Sequence, residues 1–196
     1  MKLYDEKLYD FLSKKENFEP YFDLHQQYEK VRKQMVDEFW DQVAQNIKAN
    51  PPQNTEWMVE VDPPGTGNRK LRMKHPVTAG SPDFKAGIIY EHLENYVYLG
   101  VWVNRWLLKN EGDIKQIFAE AGEVVKDKPG WKAGSGGWWF VIHRDTGEDF
   151  RQKETLVKIT PEDRGVFAKT MATEIVEAVN LFGEFCIEQV KKNTWK

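Results

Sequence analysis

Arg69, Lys70, Arg72, Lys74 and His75 form the densest basic cluster in the chain. On an extended segment Lys70, Arg72 and Lys74 share one face, an arrangement that can track a phosphate backbone. Glu56, Glu60 and Asp62 precede them across a turn-rich stretch, Pro63-Pro64-Gly65-Thr66-Gly67-Asn68. A hairpin over that turn sets acids opposite bases, so ion pairing across the strands competes with phosphate binding. With the acids already in place, pairing is the favoured reading of the cluster.

Other chemistry-bearing patterns are sparse. His25, His75, His92 and His143 stand at no metal-ligand spacing, and no helix carries His at i and i+4 around a Glu. There is no nucleophile elbow, phosphate-binding loop or dinucleotide fingerprint. Gly134-Ser135-Gly136-Gly137 has the composition to cradle an anion, but a strand pattern follows it where a helix N-terminus is needed. It reads as a hairpin loop. The single cysteine, Cys186, excludes an internal disulfide and a cysteine-cluster zinc site. Its place in an apolar helical pattern predicts a buried, unreactive thiol.

Composition narrows the classes further. Of 196 residues, 40% are hydrophobic and 30% charged, a globular mix with enough chain for a sizeable core. The net charge of −3 lacks the basic surplus typical of nucleic-acid binders, so any such role must come from a local patch. Eight Trp, seven Tyr and eleven Phe can serve a core, a binding face, or both. The charged start, Met1-Lys2-Leu3-Tyr4-Asp5-Glu6-Lys7, is unlike a signal peptide, and no apolar run approaches the roughly 18 residues of a membrane helix. A cytoplasmic protein is expected.

The elements that would position these residues follow from periodicity. Leu8, Phe11 and Leu12 predict a short helix. Leu24, Tyr28, Val31, Met35, Phe39, Val43 and Ile47 mark one face of a long helix over 21–48, ended by Asn50-Pro51-Pro52. Trp40, Val36 and Ala44 widen that stripe, which favours packing across a sheet over a coiled-coil homodimer, although the dimer stays open. Alternation predicts strands over Glu56–Asp62 and around Leu71 and Met73. A tight hairpin then joins Ala86–Leu93 to Tyr96–Arg105. With Leu93 opposite Tyr96, one face carries Ile88, Tyr90, His92, Val97, Leu99, Val101 and Val103. The other carries Ile89, Glu91, Leu93, Tyr96, Tyr98, Trp102 and Asn104, and a one-residue slip would exchange them. A helix is predicted over 106–122, with Gly122 near its stop. Strands follow at Trp138–Arg144, apolar on both faces, and at Thr155–Ile159. A closing helix starts at Thr160-Pro161-Glu162-Asp163 and runs to about Lys192 on Phe167, Met171, Ile175, Val179, Phe182, Cys186 and Val190. The sum is one α+β domain over 1–196: an antiparallel or mixed sheet of about six strands covered by long N- and C-terminal helices.

Ala86-Gly87-Ile88-Ile89-Tyr90, Tyr96-Val97-Tyr98-Leu99-Gly100-Val101-Trp102, Gly137-Trp138-Trp139-Phe140 and the closing helix together give a pattern over about half the chain. It resembles the C-terminal part of uncharacterised prokaryotic and phage proteins of the PD-(D/E)XK nuclease superfamily. The resemblance implies a metal-dependent nuclease in which an Asp and an acid-x-Lys triplet on adjacent strands hold Mg²⁺ and activate water. The nearest residues are Asp62 with Asp83-Phe84-Lys85, of which Asp83 and Lys85 fall in or beside a Pro-containing loop.

Two functions are therefore weighed. The favoured one is a non-catalytic binding protein, of phage or defence-system origin, that engages a macromolecular partner, foremost a protein. It binds through Tyr96, Tyr98, Trp102, Trp138, Trp139 and Arg144, with Trp131 and Arg105 close in sequence. It needs no cofactor, and Lys70, Arg72 and Lys74 keep nucleic acid in view. The alternative is the Mg²⁺-dependent nuclease built on Asp62, Asp83 and Lys85. A small-molecule pocket lined by Trp138 or Trp139 is a third option.

Overall fold

A computed structural model describes residues 3–64, 70–79, 85–93, 96–135 and 140–196. The chain divides into two compact units, Met1–Val36 and Asp37–Lys196. The smaller holds α1 (Leu3–Leu12) and the first part of α2 (Lys15–Ala49). The helix begins at Lys15, earlier than its apolar stripe indicates, and contains Pro20. Proline fixes φ near the helical value, but at the sixth residue of the helix it removes the hydrogen bond to the Glu16 carbonyl and crowds that oxygen. The side-chain amide of Asn17 donates to the Phe11 carbonyl at 2.8 Å and tightens the turn between α1 and α2.

The larger unit contains the sheet. Its strands are β1 (Met58–Val61), β2 (Lys70–Lys74), β3 (Ala86–Leu93), β4 (Tyr96–Val103), β5 (Lys132–Ala133) and β6 (Phe140–Asp145). All pairings are antiparallel, in the order β1-β2-β3-β4-β6-β5. Leu93 stands opposite Tyr96, the register expected from the two-residue connection. Leu71, Met73, Ile88, Tyr90, Val97, Leu99 and Val101 are accordingly all buried. The remaining helices are α3 (Pro76–Ala79), α4 (Glu111–Val125), α5 (Lys153–Lys158) and α6 (Arg164–Lys192), with a 3-10 turn at Arg105–Leu107.

The end of α2 and the whole of α6 seal the core. Phe39, Trp40, Val43 and Ile47 are buried, and the Trp40 ring lies 5.5 Å from Tyr90 and 5.8 Å from Phe150. Met171, Ile175, Val179, Phe182, Cys186 and Val190 form the buried stripe of α6. Burial pushes the Cys186 thiol well above its usual range, so it stays a thiol. Gly183 faces the Trp57 indole, where a Cβ would approach the ring to 3.2 Å.

Several elements differ from expectation. The segment Thr155–Ile159 falls on α5 and the residue that ends it: Thr155 and Ile159 are buried four residues apart, while Val157 between them is exposed. A strand would put all three on one face, whereas i and i+4 share a helix face. The sixth strand is instead Lys132–Ala133, which pairs with His143 and Ile142. Thr160 does not cap α6; its hydroxyl donates to the Val157 carbonyl at 2.9 Å, and α6 starts at Arg164. Gly122 lies inside α4, which continues to Val125.

Candidate functional site

The basic cluster lies on β2 with its charges opposed. Glu60 stands opposite Arg72 and Met58 opposite Lys74. Arg72 reaches the Glu60 carboxylate at 3.1 Å and the Asp62 carboxylate at 2.5 Å, and Lys74 binds the second oxygen of Glu60. His75, buried against the Trp57 ring, places Nε2 3.1 Å from Glu56. Lys70 stands opposite Glu91 in the β2–β3 register. A phosphate arriving here would have to displace carboxylates, which removes most of the electrostatic gain.

This register sets two members of the nuclease constellation, Asp62 and Lys85, apart. Asp62 follows Val61, which pairs with Leu71, which in turn pairs with Tyr90. Lys85 precedes Ala86 at the other end of β3, next to Val103. At about 3.3 Å per residue, Asp62 and Lys85 lie roughly 15–20 Å apart along the strand direction. Asp62 is committed to Arg72, and the Lys85 ammonium sits 5.9 Å from the centroid of Trp195. Asp83 lies outside the described residues. Among the described residues no group of three His, Cys, Asp or Glu side chains is placed to hold a metal ion. Asp62 and Lys85 thus do not fit a shared Mg²⁺ site.

The aromatic set divides between the two sheet faces. Tyr96 is exposed, Tyr98 and Trp102 are half-buried, and the Tyr96 and Tyr98 rings lie 6.3 Å apart. Tyr98 also neighbours Phe140 and His143, at 6.3 and 6.4 Å. Burial, with Lys132 second, lowers the His143 pKa, while burial and then Asp145 raise that of Tyr98. Both rings are therefore neutral at pH 7. Arg144 belongs to the opposite face, because it pairs with Leu99 and reaches Glu174 of α6 at 2.9 Å. Its guanidinium lies over Trp131, whose ring meets Phe182 edge-on at 4.7 Å. Arg144 and Trp131 are thus core-side residues and do not extend the Tyr96–Trp102 surface. Trp138 and Trp139 lie outside the described residues.

Most of the exposed large apolar side chains among the described residues lie elsewhere. In the smaller unit Leu8, Tyr9, Phe11, Phe18, Tyr21, Phe22, Leu24, Tyr28 and Val31 are all exposed, Leu24 at 68%. None of the described side chains of residues 6–36 is buried. The regular stripe from Leu24 to Ile47 reads as one core face, yet only Phe39, Val43 and Ile47 enter the core. Periodicity reports that a face is apolar, not what covers it. Tyr21 continues the stripe, and the added aromatics at 18 and 22 widen the apolar surface beyond one face.

No protein-family model, curated protein or solved structure matches the chain. Among the described residues no helix is long and apolar enough to cross a membrane.

Proposed function

We propose that this protein acts by binding another protein, and that its contact surfaces are the apolar Met1–Val36 unit and the Tyr96–Tyr98–Trp102 face of the sheet. One observation carries the reading. Nine large apolar side chains between Leu8 and Val31 are exposed in a unit whose described side chains include none that is buried. Apolar surface on that scale marks interaction sites in folded proteins. Aromatic residues contribute most strongly at such contacts, and Tyr96, about half exposed beside Tyr98, offers a second one. The neutralised β2 cluster and the separation of Asp62 from Lys85 support binding over metal-dependent cleavage of nucleic acid.

Photo-crosslinking in the native host tests this. A photoreactive phenylalanine at Tyr28 or Tyr96 is expected to yield an adduct of one defined mass. An equivalent probe at exposed Lys153 should yield none, and Leu24→Asp with Val31→Asp should abolish the Tyr28 product. Adducts equal to those of the Lys153 control, or none at all, would overturn the reading.

A further inference from the structure

A cleft of about 570 Å³ opens between α4 and the 3-10 turn at Arg105–Leu107. Four cationic side chains line it, Arg105, Lys109, Lys115 and Lys196, and among the described residues no Asp or Glu side chain does. That composition is unusual for this molecule. Arg72, Lys74, Arg144, Arg151, Lys158, Arg164 and Lys192 each meet an acid. Lys109, Lys115 and Lys196 form no ion pair with any described residue. A protein of net charge −3 has thus collected positive potential in one concave place, where low-dielectric walls focus it.

The cleft also has a flat apolar side. Phe118 of α4 contributes to its wall, and Trp106 is 72% exposed, the most exposed large aromatic side chain among the described residues. Arg105 lies over the indole at 5.2 Å. The segment carrying Trp106 is fixed by backbone pairing. Leu107 accepts from the Lys196 N–H at 2.7 Å, Lys109 donates to the Thr194 carbonyl at 3.0 Å, and Leu108 bridges to Trp195. Asn104 donates to Lys85 at 2.7 Å on the other side. A wall held this way does not have to be ordered when a ligand arrives.

We propose that this cleft binds a nucleotide, with the base against Trp106 and the phosphates among Lys109, Lys115 and Lys196. The volume suits a ligand of that size. An aromatic plane accepts any base, and unpaired ammonium groups take phosphate oxygens as charge-assisted partners. The proposal is independent of the protein-binding reading, since it uses other residues and another class of ligand.

Calorimetry on the full chain with ATP, tripolyphosphate, adenosine and an oligothymidylate of fifteen residues tests it. ATP is expected to bind more tightly than tripolyphosphate or adenosine. Lys109→Ala with Lys115→Ala should weaken ATP at least about tenfold. Lys30→Ala with Lys33→Ala, an equal charge change elsewhere, should leave it unaltered. Trp106→Ala should weaken ATP and spare tripolyphosphate. Equal affinity for ATP and tripolyphosphate with no effect of Trp106→Ala would mean general polyanion adsorption and would overturn the nucleotide. Tighter binding of the oligothymidylate, or no ATP binding at all, would overturn it as well. The substituted side chains are exposed, so an unchanged thermal melt separates lost binding from lost folding.

Discussion

The Tyr90 hydroxyl lies 2.9 Å from the Glu174 carboxylate, joining a central strand to the closing helix inside the core. The same carboxylate oxygen meets Arg144 at 2.9 Å, and the Met171 carbonyl is a further acceptor for Tyr90 at 3.1 Å. Burial, and then the charge of Glu174, holds the phenol well above its usual range, so it remains a donor at every working pH. Tyr90→Phe keeps the ring in place and removes the donor. It should cost about 1.5 kcal/mol in urea unfolding with an unchanged slope.

Val31 and Val43 occupy the same stripe of α2 but opposite environments, at 53% and 0% exposure. Val43→Ala should destabilise the protein by about 2 kcal/mol, as a cavity opens beneath the sheet. Val31→Ala should stay within about 0.5 kcal/mol. Equal losses at the two positions would show that the Met1–Val36 unit is covered in solution.

Gly100 sits in β4 beside the bulge at Val101/Trp102. A Cβ there would fall 2.0 Å from the Ile142 carbonyl oxygen and 2.9 Å from the His143 Cα, both backbone atoms that cannot swing aside. Gly100→Ala must therefore separate β4 from β6. A loss of about 3 kcal/mol or more is expected, with faster amide exchange on both strands.

Glu120 accepts from Gln189 at 2.6 Å and binds Lys192, linking α4 to α6. Lys192 first, then Gln189, push its carboxyl down to about 2 from 4.5. A folded-state pKa below the unfolded one stabilises the protein above pH 4.5, and that contribution is lost as pH falls from 4.5 towards 2. Glu120→Gln should lower the urea midpoint at pH 7, and the difference from wild type should shrink through that window.

Much of the framework was legible in the residues themselves. The two-residue connection at 94–95 and the alternation on either side fixed the β3–β4 register, because a slip would bury Tyr96 and expose Val97. The stripe from Phe167 to Val190 was equally plain. Shorter segments carried less information. Thr155-Leu156-Val157 is β-branched enough to suggest a strand, and only its tertiary setting makes it a helix. The cluster at 70–75 was visible because it is contiguous, and so was its neutralisation by Glu60 and Asp62. The cleft cations stand at 105, 109, 115 and 196, with no local pattern; folding alone brings Lys196 beside Leu107. Arg144 was grouped with the aromatic face for its nearness in sequence to Trp138 and Trp139, but strand parity sends it to the face opposite Tyr98.

The sheet ends in strands of four residues at β1 and two at β5. A partner that recognises backbone needs a run of unpaired N–H and C=O groups long enough to add a further strand, and among the described residues both border strands are short. On the β1 side, Glu60 with its two cations puts charge along the rim. Growth by strand addition, whether by a ligand peptide or by stacking of copies into a fibre, is thereby discouraged. On this sheet, any recognition is left to side chains, whose surface chemistry a contact would have to match, and not to the backbone of an extended chain.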